Sequence, residues 1–202
     1  MIGSIALGAG LGASAAICAG RAANRTVEGH EVASIDRARS VAVLLVGADH
    51  ASRIERSVDR QTGGLGFSHV VIDAGERDET GARLVYDCFP REGVRRVRLS
   101  ERYGSNRDGT PRPIVRAVVP RVHNERVRSA AAALVGQSYD VLTAFAPSRD
   151  RLVCSLLAMK VLPPELTAGV RSSSRWHPVS PNDLARAFGV ASPYSHDVMV
   201  SA

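Results

Sequence analysis

The sequence predicts an α+β domain in which an antiparallel sheet of about four to six strands packs against helices. Short apolar runs at 41–46, 67–73 and 82–89 are separated by polar, glycine-bearing connections, as strands joined by turns would be. One more strand-like run follows at 114–122, and after it come helical segments in series, each with its own start or stop signal. Strands gathered early and helices gathered late are the pattern of a segregated α+β fold rather than of alternating βα units.

Each element has a local reason. Residues 41–46 (Val-Ala-Val-Leu-Leu-Val) are a continuous apolar run of strand length, and residues 51–61 form a helix ended by Gly63 and Gly64. The turn-like connection from Gly75 to Gly81 makes the strands at 67–73 and 82–89 antiparallel neighbours. Asn124 caps a helix with apolar positions at Val127, Ala131, Leu134 and Val135, closed by Gly136. Ser148 or Asp150 starts a helix bearing Val153, Leu156, Leu157 and Val161, stopped by Pro163 and Pro164. Ser180-Pro181-Asn182-Asp183 supplies a cap, a proline in the first turn and an acid at the third position, so a last helix begins there.

The chain has 202 residues, 45% of them apolar and 23% charged, which suits one medium domain with a short appendage. The change of texture at residue 41 places the boundary: an N-terminal Ala/Gly-rich segment and polar connector over 1–40, then the domain over 41–202. The net charge of +6 is almost wholly arginine, because Lys160 is the only lysine. The basic run from Arg91 to Arg98 lacks the interleaved aromatics that stack nucleic-acid bases, so it reads as a solvated strand face and nucleic acid is not an expected partner. Three cysteines, Cys18, Cys88 and Cys154, are too few for a disulfide framework, and no pair has metal-ligand spacing. No metal and no cofactor are expected.

Residues 2–20 leave several readings open. Their length is about that of a membrane span, although so much Gly and Ala makes them weakly hydrophobic; no basic stretch precedes them, and Arg21 and Arg25 flank the far side. Cys18 follows Ala15-Ala16-Ile17, a poor lipoprotein cleavage site. Gly8-Ala9-Gly10-Leu11-Gly12 after Ile5-Ala6-Leu7 also resembles the glycine-rich turn of dinucleotide-binding folds, with Asp36 placed to take a ribose hydroxyl. That fold needs further parallel strands, which residues 41–202 do not suggest. A packed or disordered arm is the third reading.

The chemistry centres on three residues. A cysteine nucleophile must be a thiolate, and an imidazole together with the N-terminal end of a helix favours that form; Cys154, about one turn into its expected helix, meets the demand. His69 lies in an otherwise apolar strand, where a polar side chain needs a partner. On the adjacent strand the two-residue period puts Asp87 on one face with Val85 and Phe89, placed to orient an imidazole. Cys88 points to the opposite face and reads as packing. The bland alternative takes His69 as a satisfied core histidine, Cys154 as a buried helix residue and Asp87 as a strand-end acid. From these residues alone it is the more economical reading, since buried free cysteine is common. His50 and His123 sit at element ends, His177 follows Trp176 in a polar loop, and His196 lies in the tail.

In order along the chain, Val43 to Ile54, Phe67-Ser68-His69-Val70, Val85-Tyr86-Asp87 and Glu92-Gly93-Val94 are followed by Gly136-Gln137-Ser138-Tyr139-Asp140, Val153-Cys154-Ser155 and Val179-Ser180-Pro181-Asn182-Asp183-Leu184. This ordered set resembles the circularly permuted papain-like cysteine hydrolases, the superfamily of NlpC-type cell-wall peptidases and lecithin:retinol acyltransferase relatives. The resemblance covers 41 to about 190 and implies His69 as catalytic histidine, Cys154 as nucleophile and Asp87 as the orienting residue. It also explains why the histidine precedes the cysteine, the reverse of ordinary papain-like enzymes. The pattern departs at Leu156, where relatives commonly carry an acid after the Cys-Ser pair. The implied activity is hydrolysis or transfer of an acyl group through an acyl-thioenzyme, on a peptidoglycan peptide or a lipid-like acyl amide, with substrate choice in loops 75–81 and 102–113. The alternative function is a non-catalytic binding or structural module of the same fold, membrane-tethered if residues 2–20 insert.

Overall fold

The structure, a computed structural model, describes residues 40–139, 151–173, 179–190 and 192–194. The expected segments at 1–39, with the glycine-rich turn, Cys18 and Asp36, lie outside the described residues, as do Ser148, Asp150, His177 and His196. Five strands form one antiparallel sheet: β1 (Ala42–Gly47), β2 (Phe67–Arg77), β3 (Arg83–Phe89), β4 (Gly93–Arg98) and β5 (Ile114–Val118), in the order β4-β3-β2-β1-β5. A two-residue parallel ladder joins β6 (Ser138–Tyr139) to β7 (Arg151–Leu152). The helices are α1 (Arg53–Gln61), α2 (Leu99–Tyr103), α3 (Asn124–Ala133), α4 (Cys154–Val161), α5 (Pro164–Thr167) and α6 (Pro181–Ala187). The α+β expectation therefore holds.

β1 is an interior strand, between β2 and β5, and is buried on both faces, which is why its sequence is apolar without alternation. Val43 and Leu45 face the larger core, which they share with Val127 of α3, Leu157 of α4 and Leu184 of α6. Ala42, Leu44 and Val46 face a smaller cluster with Val71, Val85 and Tyr103. Asp73, fully buried on β2, is neutralised by Arg116 and Arg83 from either side. The basic run is the edge strand β4, and its charges are matched locally: Arg96 pairs with Glu76 at 3.0 Å, and Arg98 pairs with Asp78 and Glu101.

Several boundaries differ from those expected. α1 starts at Arg53, because the Ser52 hydroxyl caps it by accepting the Glu55 N–H. The strand at 114–122 ends at Val118, where Pro120 removes a ladder donor and a 3-10 turn begins. α3 stops at Ala133, so Val135 is left half exposed. α4 begins only at Cys154, with Val153 as its N-cap, rather than a turn earlier. The last helix starts as expected, with a reciprocal capping box between Ser180 and Asp183.

Candidate active site

Opposite β1, Val46 pairs with His69 but Gly47 pairs with Phe67, so Ser68 is an extra residue in β2. The bulge lets Phe67 and Val70 both face the larger core and leaves His69 in contact with Tyr103 of the smaller one. Ser68 Oγ is anchored by donating to Glu55 at 2.7 Å, and Glu55 also pairs with Arg112.

His69 Nε2 lies 2.6 Å from Asp87 Oδ1, and both side chains are buried. The other Asp87 oxygen accepts the Tyr103 hydroxyl at 2.8 Å, with Arg102 Nε 3.5 Å away. Phe89 meets the imidazole edge-on, ring centroids 5.8 Å apart, and carries the Arg102 guanidinium over its own face. Arg102 is itself held by Glu92.

Cys154 is the first residue of α4, 8% exposed, and its sulfur is close enough for its charge to act on His69. Since Asp87 occupies Nε2, Nδ1 is the ring nitrogen left for a further partner. Burial alone would depress the imidazole; negative charge on Cys154, then on Asp87, together with the hydrogen bonds from both, pushes it up from 6.5 to about 10. Burial would likewise raise Asp87, but the His69 charge, the hydrogen bonds from His69 and Tyr103, and Arg102 hold it below the ordinary carboxylate value. The pair thus favours an imidazolium beside a carboxylate. No side chain caps α4, whose first-turn N–H groups are the natural place to stabilise negative charge.

Cys88 takes the opposite face, as expected, and packs in the larger core. Its thiol is pushed up to about 12 by burial, with the charges of Cys154 and Asp87 adding, so it stays protonated at neutral pH. Neither Cys88 nor Cys154 is in a disulfide. Tyr139 is partly buried against the larger core, and its phenol is raised by burial and then by the Cys154 charge. Leu156 is also partly buried there. His50 is exposed beside Tyr194, and His123 lies 3.6 Å from Glu165.

Sequence reasoning missed Tyr103 and Arg102, and placed Phe89 on the Asp87 face without giving it a role. The first two lie in the segment taken for a substrate loop, yet they belong to α2, and the remaining Gly104–Pro113 stretch is tied down by its own turn and by Asp49, which accepts the Arg107 N–H. No local signal in Glu101-Arg102-Tyr103 announces a contact with Asp87. Among the described residues, no three His, Cys, Asp or Glu side chains come together as metal ligands, and no helix is long and apolar enough to cross a membrane. A shallow depression lined in part by Arg77, Asp78, Thr80, Arg96 and Arg98 lies toward the β2–β3 turn, away from all three site residues.

No protein-family model matches the chain, and no curated protein matches it. In fold it is similar to the crystal structure of the metalloprotein yiiX from Escherichia coli O157:H7, DUF1105, at 15% identity and a TM-score of 0.50, covering 72% of this chain and 91% of that one. At that identity the likeness concerns the fold alone.

Proposed function

We propose that residues 41–202 form a circularly permuted papain-like cysteine hydrolase with Cys154 as nucleophile, His69 as acid–base and Asp87 as the orienting carboxylate. The observation that carries this reading is His69 bonded to Asp87 at 2.6 Å, with Cys154, at the start of α4, near enough to act on the ring electrostatically. The Cys154 thiolate attacks an amide or ester carbonyl, forming a C–S bond, and the imidazolium gives its proton to the departing amine or alcohol. The neutral imidazole then takes a proton from water, the hydroxide attacks the thioester, and the thiol leaves as thiolate. Developing negative charge on the carbonyl oxygen is met by N–H groups at the start of α4. The fold neighbour is described as a metalloprotein; among the described residues here, no three His, Cys, Asp or Glu side chains come together as metal ligands.

A second reading, a binding module that has lost catalysis, draws on Leu156, which packs on the core where relatives carry an acid. The two separate on one experiment: treatment with a thiol-directed acyl probe, in the parent and in Cys154→Ala. A hydrolase labels at residue 154 and loses both label and turnover in the variant. Labelling that persists unchanged in Cys154→Ala, or a parent inert to the probe, removes the hydrolase reading.

A further inference from the structure

We propose that Tyr103 is a positioning residue for the His69–Asp87 pair, fixing the carboxylate through its hydroxyl and the imidazole through its ring. The inference rests on the hydrolase reading for its kinetic consequence but not for its structural one. A carboxylate bonded at one oxygen can still swing about its Cβ–Cγ bond; bonded at both, it cannot. Oδ1 of Asp87 is taken by His69 at 2.6 Å and Oδ2 by the Tyr103 hydroxyl at 2.8 Å. The same phenol ring stacks on the imidazole, centroids 5.4 Å apart and planes 28° from parallel. One side chain therefore constrains both members of the pair. Tyr103 is in turn fixed: it is 2% exposed, and the Arg112 guanidinium lies over its ring at 5.5 Å while donating to the Gly47 carbonyl and pairing with Glu55.

A buried phenol that merely found an acceptor would satisfy its own hydroxyl and leave Asp87 and His69 as they were. The test must therefore read those two groups. His69 from β2 and Tyr103 and Arg102 from α2 act most strongly on Asp87, and Cys88, Glu92 and Tyr139 also feel its charge. Tyr103→Phe keeps the ring stack and removes only the donor. Titration of the Asp87 carboxyl carbon and the His69 ring by nuclear magnetic resonance should show the Asp87 midpoint moved upward, since the lost hydrogen bond favoured its charged form. With p-nitrophenyl acetate as acyl probe, kcat should fall roughly tenfold with KM held within about twofold, because the hydroxyl serves the pair and not the substrate. Arg102→Gln, which removes a more distant group, should move the Asp87 midpoint less.

Titration curves for both groups that superimpose on the parent's in folded Tyr103→Phe overturn the proposal. If that variant does not fold, 3-fluorotyrosine at position 103 replaces it: a more acidic phenol donates more strongly and should move Asp87 downward, and no movement overturns the proposal equally. A parent that neither turns over the ester nor labels at Cys154 sinks the hydrolase reading and leaves the titrations to judge Tyr103.

Discussion

Asn182 reaches from α6 to the first residue of β2, where its Oδ1 accepts the backbone N–H of Phe67 at 3.1 Å, two residues ahead of His69. Its amide nitrogen donates to the Asp59 carboxylate at 3.0 Å and to the Thr62 hydroxyl at 2.8 Å, so one fully buried side chain ties α6, the end of α1 and the strand carrying the imidazole. Asn182→Ala leaves the Phe67 amide without its acceptor and should cost about 2–3 kcal/mol. Asn182→Asp, which sets a second carboxylate against Asp59, should cost more. Urea unfolding of the three proteins checks the ranking, and an aspartate variant as stable as the parent would contradict it.

Turnover by the proposed enzyme depends on what Asp87 can accept. In Asp87→Asn the shape is kept, but an amide nitrogen facing Nε2 donates where an acceptor is needed, and the imidazolium loses its second anion. The rate should fall on the order of 10²- to 10⁴-fold with little change in KM. Steady-state kinetics with an activated ester reads both. A variant that loses KM alone would mean that Asp87 touches substrate instead of orienting His69.

The influence of Cys154 should be visible in the titration of His69. After the opposing desolvation, Cys154 is the largest influence on His69, so Cys154→Ala should move the imidazole midpoint down from about 10 while Asp87 keeps part of the elevation. The measurement is the His69 ring proton shift against pH. A midpoint that stays put would show that the sulfur exerts no hold on the ring.

The sequence makes the sheet and the three candidate residues legible for different reasons. β1 is read correctly because burial on both faces demands an unbroken apolar run, and Ser180–Asp183 because a capping box is a local pattern. Asp87 is legible from the strand period that places it with Val85. The bulge at Ser68 is not, since an extra residue in one strand exists only relative to its partner. Tyr103 escapes notice for a related reason: its bond to Asp87 spans 16 residues and two elements, with nothing in the intervening charges to mark it. The start of α4 is misplaced because Ser148 and Asp150 offer good capping chemistry, whereas Val153 offers none.

Linkage gives the protein a pH-dependent stability. His69 has its folded value raised from 6.5 to about 10, so its contribution is complete below 6.5 and is lost as pH rises through about 10. Asp87 is held below 3.8, so its contribution is present above that value and is lost as pH falls beneath it. Urea midpoints should therefore decline from about pH 6 to about pH 10, and His69→Gln should flatten that decline. A parallel decline in both proteins would assign the alkaline loss to other groups.

Gly93 tests how the approach to Cys154 is held. It sits at φ 71° where β4 begins, and a Cβ there would run into the Gln137 carbonyl, the acceptor for the Val94 N–H at 2.8 Å. Gly136 N–H donates back to Val94, so this contact fixes the turn before β6, which pairs with β7 just ahead of Cys154. Gly81 has a similar φ of 83° but open space where its Cβ would go. Gly81→Ala should thus cost only the backbone strain, about 1 kcal/mol, whereas Gly93→Ala adds a collision with main chain and should cost about 2–4 kcal/mol. Thiol alkylation at Cys154, followed below the unfolding transition, should change in Gly93→Ala alone. Equal costs in urea, with equal alkylation rates, would mean that the Gln137 contact does nothing to hold the segment leading to Cys154.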